Sequence, residues 1–338
     1  LRGQSFLLIS DYLGNHQFFL ATDLVNAIDQ TNFQFFYLNN THRIDWGLGI
    51  FHMKNYYIDP IDRLFSDRVY GLASSVAYPF SKFTRLELDL SHLFIDRKYF
   101  DPPYDDSDNK ITTAELSWVT DNILWGITGP VNGKRYKATF ERTLNIYTKS
   151  IDYWAVQFDF RKYYHFAKQY GVAFRMAGGV SDGANPKKYY LGGTSNWIGS
   201  ALPGLDVYGV ENLYFSKVVT PLRGYNYYEI QGSKFAMANF EFRFPFIEYF
   251  AVRFPLPIVL SRMRGAIFLD VGAAWDENEK FRGTTTDGPF RLVSIKSGFG
   301  YGARVNLGFI VMKFDQAWKT DLNKTSSPKY YFSLGAEF

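Results

Sequence analysis

Apolar and polar residues alternate one by one along most of this chain. In "FTRLELDLSHL", Leu86, Leu88 and Leu90 alternate with Arg85, Glu87 and Asp89, and in "AVQFDF" Val156, Phe158 and Phe160 alternate with Gln157 and Asp159. The same rhythm runs through Ile44, Trp46, Leu48 and Ile50, through Ala114, Leu116 and Trp118, and through "SGFGYGARVNL", where Phe299, Tyr301, Ala303, Val305 and Leu307 alternate with Gly298, Gly300, Gly302, Arg304 and Asn306. A period of two sends successive side chains to opposite faces, which predicts strands with one apolar and one polar face. No amphipathic helix of more than a few turns competes.

The connectors between these segments are of two kinds. Some are short, such as "LGNH", "NNTH" and "PFSK"; others are long and rich in Asp, Pro, Gly and Tyr, such as "YFDPPYDDSDNK" and the stretch from about Ser181 to Gly232. Short turns on one side and long loops on the other are the habit of outer-membrane barrels. Strands of about 9–11 residues with such connectors use roughly twenty residues each. The 338 residues then make about fifteen or sixteen strands, read as a single barrel domain over 1–338.

Composition sharpens this picture. The chain is 19% aromatic, with 33 Phe and 25 Tyr, yet its mean hydropathy is only -0.20. Strands with one apolar and one wet face reconcile the two values. A soluble sandwich or propeller also alternates, but here charges recur on the polar face of nearly every strand and bulky aromatics begin and end the apolar face, as a lipid belt with interfacial girdles requires. No propeller-like repeat of about 40–50 residues is present. No stretch approaches the ~18–20 continuous apolar residues of a membrane-spanning helix. The expected fold is therefore all-β, a transmembrane antiparallel β-barrel of about 16 strands in a bacterial outer membrane, with its apolar face against outer-membrane lipids.

Other chemistries find little support. The absence of cysteine removes disulfides, thiolate metal sites and cysteine nucleophiles. The formal charge of +4 is spread along the chain without a basic block, which argues against nucleic acid. His16, His42, His52, His92 and His165 show no metal-binding spacing, and no nucleophile elbow or phosphate-cradling loop occurs. The acidic run Asp101–Asp108 lacks the ligand order of a calcium loop and reads as a solvated outer loop. No enzyme activity, cofactor or metal is expected.

The last third carries ordered motifs: "LRGY" (Leu222 to Tyr225), "GSKFAMANFEFRFPF", "GAIFLDVGAAWD" (Gly265 to Asp276), "GFGYGARVN" and "MKFDQAW". The chain closes on "KYYFSLGAEF", where Tyr330, Phe332, Leu334 and Ala336 share one face, Gly335 falls on the other, and Phe338 ends the sequence. Together these resemble the C-terminal barrel of the BamA-type outer-membrane assembly and translocation superfamily, also called the bacterial surface antigen family. The resemblance is strongest over about Gly192 to Phe338. Its earlier part, "SFLLISDYLGNHQFFLATDL", is similar to the second and third strands of members whose barrel follows a propeller-like periplasmic region.

The resemblance implies sixteen strands, with a long loop before the twelfth folded back into the lumen. Arg223, beside Gly224 and Tyr225, would then meet the wall at Phe268 and Asp270, which share a face with Gly272, with Glu241 as a second acidic partner. It also implies that the terminal run Tyr330, Phe332, Leu334, Gly335 and Phe338 is an assembly signal lying at the seam. Ten predicted strands precede the loop and five follow it, so the first strand is expected upstream of Leu1, within a longer precursor. An arginine fork in a partly desolvated lumen makes strong, often bidentate bonds to a carboxylate. The plainer reading is a surface turn with a solvated arginine.

Two function classes follow. One is a machine for protein insertion or translocation, whose seam between first and last strands templates or passes a client or secreted polypeptide, with periplasmic or lipoprotein partners. The alternative is a passive barrel anchoring a soluble domain or partner lipoproteins.

Overall fold

A computed structural model describes residues 3–24, 31–58, 63–100, 106–146, 151–167, 169–198, 214–253, 255, 258–285, 289–308 and 310–335. Its first strands are β1 (Gly3–Ser10), β2 (His16–Leu24), β3 (Asn32–Asn39), β4 (Asp45–Ile58), β5 (Leu64–Pro79), β6 (Thr84–Tyr99) and β7 (Ser107–Asp121). They continue with β8 (Leu124–Gly126), β9 (Gly129–Thr143), β10 (Trp154–Phe166) and β11 (Tyr170–Asp182). Three short strands follow: β12 (Tyr189–Leu191), β13 (Lys217–Val219) and β14 (Ile230–Gly232). The chain then builds β15 (Lys234–Val252), β16 (Ile258–Trp275), β17 (Lys296–Asn306), β18 (Val311–Thr320) and β19 (Lys329–Leu334).

One 16-stranded sheet contains all but the three short strands. Its path runs in chain order from β1 to β11 and from β15 to β19, with β8 attached only to β9. Ten strands of that path precede the long loop and five follow it, and neighbours pair antiparallel throughout. The all-β, antiparallel reading of the alternation therefore holds. The β12–β14 trio forms a separate sheet within the loop, in the order β13-β12-β14.

The alternation sorts the side chains by solvent. Leu48, Ile50, Leu72, Phe158, Ile267, Leu269, Phe299, Tyr301 and Phe314 lie on the outer surface, while Asp67, Arg97, Glu141, Gln157, Arg175, Asn239, Glu241, Asp270, Arg304 and Asp315 are buried on the inner face. This inverts a water-soluble core, as expected where the outside solvent is hydrocarbon and the interior is polar. Short connectors such as residues 11–15, 40–44 and 80–83 lie at one end of the strands, long ones at the other, and β19 finishes at the short-turn end.

Ladder length varies around the sheet. Seventeen register pairs join β15 to β16 and fourteen join β4 to β5. At the two ends, among the described residues, β1 and β2 share eight pairs and β18 and β19 share six.

Candidate functional site

The long loop between β11 and β15 enters the interior and crosses it. At one side, Tyr214 Oη donates to Asp67 Oδ2 of β5 at 3.0 Å, and Phe215 joins a buried cluster with Val69, Ile95, Ile111 and Tyr153. Lys217 Nζ donates to Gln157 on β10, and Arg175 of β11 donates to the Thr220 carbonyl. Leu222 and Arg223 then reach the opposite wall. Within the loop, Gly193 and Leu222 form an antiparallel bridge, with Leu222 N–H donating to Gly193 O at 2.9 Å and Gly193 N–H donating to Tyr225 O at 3.1 Å.

Arg223 is 2% exposed and its guanidinium addresses three carboxylates. Nε donates to Asp270 Oδ2 at 2.7 Å and Nη2 to Asp270 Oδ1 at 3.0 Å, a fork matched to a fork. The Arg223 backbone N–H adds a third bond to Asp270 Oδ2 at 3.0 Å. Nη1 donates to Glu241 Oε2 at 3.0 Å and to Asp315 Oδ2 at 3.5 Å. The guanidinium plane also covers the Phe268 ring at 3.3 Å from its centroid, so the aromatic face stabilises the same cation.

The surrounding wall completes the charge balance. Arg243 Nε donates to Glu241 Oε1 at 2.8 Å, while Arg304 bridges Glu241 Oε2 at 3.2 Å and Asp315 Oδ1 at 2.5 Å. Three carboxylates thus interleave with Arg223, Arg243 and Arg304 across β15, β16, β17 and β18. Asn239 Nδ2 donates both to Asp270 Oδ1 at 2.9 Å and to Pro221 O at 2.7 Å, tying the carboxylate to the loop backbone. A buried ion pair alone scarcely repays its desolvation. Here the carboxylates also accept additional hydrogen bonds, which is the condition under which a buried network holds.

Backbone access to this wall depends on missing side chains. Gly224 adopts φ +100, and a Cβ there would lie 2.9 Å from Lys319 N. On β17, a Cβ at Gly298 would collide with the Arg223 carbonyl, one at Gly300 with the Phe268 ring, and one at Gly302 with the Asp315 carboxylate. On the inner face of β17, Gly298 therefore makes room for the loop backbone, while Gly300 and Gly302 make room for the Phe268 ring and the Asp315 carboxylate that meet Arg223. Gly272 leaves space for Leu191 and Leu222, whose side chains would lie 3.1 and 3.5 Å from a Cβ added there.

Tyr331 of β19 extends the contact to the last strand. Its hydroxyl accepts from Gly224 N–H at 2.7 Å and donates to Tyr225 O at 2.9 Å, and it is fully buried. Tyr225 Oη reaches Ser297 O at 3.3 Å. Burial raises the Tyr225 hydroxyl to about 12, so it remains a donor.

The structure thus gathers Arg223, Gly224, Tyr225, Glu241, Phe268, Asp270 and Gly272 in one place. Tyr330 and Phe332 face outward from β19, with Leu334 and Gly335 half-buried beside them. Phe338 lies outside the described residues, as do residues 101–105 of the acidic run. Sequence reading missed Asn239, Arg304, Asp315 and Tyr331 as members of the network, although all four lie within the ordered motifs or the terminal run. It also missed the second wall contact, where Arg97 pairs with Asp67 through Nη2 and Oδ2 at 2.7 Å and lies over the Phe65 ring.

An antiparallel sheet with an apolar outer surface and a charged interior crossed by a loop defines an outer-membrane β-barrel. The Omp85 superfamily domain matches residues 12–338, and the chain belongs to that superfamily of bacterial outer-membrane barrels. Among solved structures it is similar to BamA from Haemophilus ducreyi lacking POTRA domains 1-3, at 14% identity, TM-score 0.66, covering 98% of this chain and 67% of that one. CdiB from Acinetobacter baumannii matches at 10% identity and TM-score 0.55, covering 98% and 56%. CdiB from Escherichia coli matches at 14% and 0.56, covering 98% and 59%. These likenesses establish the barrel fold. No curated protein matches the chain.

Proposed function

We propose that this barrel is the membrane-embedded part of a machine that inserts polypeptides into the outer membrane or translocates them through it, with the seam at β19, the last strand, as the working edge. The observation that carries this reading is the short ladder of the last strand: among the described residues six pairs join β19 to β18, the fewest along the path of the sheet, against seventeen between β15 and β16. Each pair fewer removes cross-strand contacts of about 0.2–1 kcal/mol, so β19 is the strand most easily separated from its neighbour. A strand edge offers its backbone donors and acceptors to an incoming chain, which is β-augmentation.

Two further features support it. Phe6 and Leu8, 69% and 66% exposed, occupy the face of β1 that Asp23 shares through the β1–β2 register, while Leu7 and Ile9 occupy the other. A strand apolar on both faces suits covering on both faces. The loop, meanwhile, takes its polar anchors from β5, β9, β10, β11 and β15 to β18, bracing the wall away from β1. BamA and CdiB, whose folds this barrel shares, are consistent with either insertion or secretion.

The test is a tether across the seam. Ser5→Cys and Tyr330→Cys, both exposed positions, joined by a bifunctional maleimide long enough to span the two ends of the sheet in the otherwise cysteine-free chain, should abolish insertion of a reporter barrel or secretion of a reporter chain while the barrel stays folded. Full activity with the tether in place would leave only a passive anchor.

A further inference from the structure

The outward edge of β19 already has an occupant. Gly335 N–H donates to Val311 O of β18 at 2.8 Å, so the odd-numbered backbone groups of this strand point to β18. In an antiparallel ladder the alternate residues then point the other way, which directs the Phe332 and Leu334 carbonyls to the seam. Both are satisfied from inside the barrel. Ile198 N–H donates to Phe332 O at 2.8 Å, and Asn196 Nδ2 donates to Leu334 O at 3.0 Å. Trp197 and Ser333 form an antiparallel bridge, and the Trp197 ring lies 4.5 Å from that of Tyr331. Trp197 is itself positioned by the loop, since its N–H donates to Tyr227 Oη at 3.2 Å.

We propose that Asn196–Ile198 is a resident strap that occupies the β19 edge and has to leave before another extended strand can pair there. This rests on reading β19 as a seam strand. The strap belongs to the same loop as Arg223, tied to it through the Gly193–Leu222 bridge, so the loop braces one wall and covers the adjoining edge with one segment of chain. Two hydrogen bonds to β19 and the packing of Trp197 on Tyr331, Ala317 and Phe268 hold the strap without an ion pair, against the multiple ionic bonds that hold Arg223. An incoming strand with a full ladder offers more, so displacement of the strap can proceed while the Arg223 network stays docked.

An edge that is free only part of the time binds a competitor more weakly in proportion to the free fraction. The probe is a fluorescent synthetic peptide with the sequence of Gly3–Ser10, the strand at the other end of the sheet, presented to the full chain in detergent micelles. Freeing the edge with Asn196→Ala, or with Ile198→Pro, which removes the donating N–H, should tighten peptide binding by about tenfold or more. Trp197→Cys with Ser333→Cys should form a disulfide on mild oxidation, block the peptide, and regain binding on reduction. Heat-modifiable gel mobility identifies folded barrels before each measurement. Peptide binding equal in all folded forms, or a cysteine pair that fails to join, would overturn the strap. Strap behaviour as described, with a reporter-insertion or secretion assay indifferent to a tethered seam, would leave the strap standing and remove the proposed function instead.

Discussion

The wall from β15 to β18 and the strands at the seam share the same alternating sequence pattern, yet they are held differently. On the wall, ladders of up to seventeen pairs stand outside an interior lattice of Arg223, Arg243, Arg304, Glu241, Asp270 and Asp315. At the seam, the ladders shorten to eight and six pairs, and the contact on β19 is the strap of Asn196–Ile198 with the Tyr331 hydroxyl behind it. Alternation satisfies lipid and lumen equally all round the sheet. What differs is the polar interior, so a barrel can be stiff over one arc and separable at another without changing its outer surface.

The largest effect should come from taking the Arg223 fork away from Asp270. Either Arg223→Ala or Asp270→Ala leaves buried charge uncompensated, at a cost of about 3–5 kcal/mol, read as a lower denaturant midpoint for the folded barrel. The double variant should lose little more than either single one, because partners in one network are not additive. Next in size is the outer face of the same wall. Phe242, stacked on Phe244 with ring centroids 6.0 Å apart, sits on the outer face of β15 opposite Glu241 and Arg243, and Phe242→Arg should cost about 2–4 kcal/mol near the bilayer midplane.

Smaller changes sharpen the contrast between the two ends of the loop. Tyr214→Phe removes one hydrogen bond to a carboxylate already paired with Arg97, so about 1.5–3 kcal/mol is expected, below the loss at Arg223. Arg142 pairs with Asp152 at 3.0 Å on the half-exposed rim, and Arg142→Ala should change stability by about 0–1 kcal/mol. The least effect is at the loop exit. Burial works to raise the Asp276 carboxyl, but hydrogen bonds from Lys188 and from Ser233 N–H outweigh it and hold it below the ordinary carboxylate range. A carboxyl lowered on folding contributes stability above its unfolded pKa and loses it as pH falls through the folded value. Proteolysis of the loop exit should therefore rise only in acid, and Asp276→Asn should remove that dependence.

Much of the fold was legible because a barrel in lipid writes its two solvents into alternate residues; Leu86, Leu88 and Leu90 against Glu87 and Asp89 needed no further clue. The motif region also pointed to Arg223, Asp270, Phe268 and Glu241 together. Asp315 was harder to see, since it lies 92 residues beyond Arg223 and only the curl of the sheet brings it within reach. Tyr331 read as one more polar-face residue of the last strand. Gly298, Gly300 and Gly302 showed their spacing but not their purpose, because the Arg223 carbonyl, the Phe268 ring and the Asp315 carboxylate they admit come from other parts of the chain. Asp67, Arg97 and Tyr214 belong to no local pattern, and Asn196–Ile198 pairs with a strand more than a hundred residues away.

Hydrogen–deuterium exchange along the chain, compared between the parent protein and Arg223→Ala, tests the contrast between wall and seam most directly. In the parent, amides of β15, β16 and β17 should exchange far more slowly than those of β1, β2 and β19. In Arg223→Ala the wall should lose protection while β1 and β2 keep their own rates. Equal protection of wall and seam in the parent, or a loss spread evenly over all strands in the variant, would contradict it.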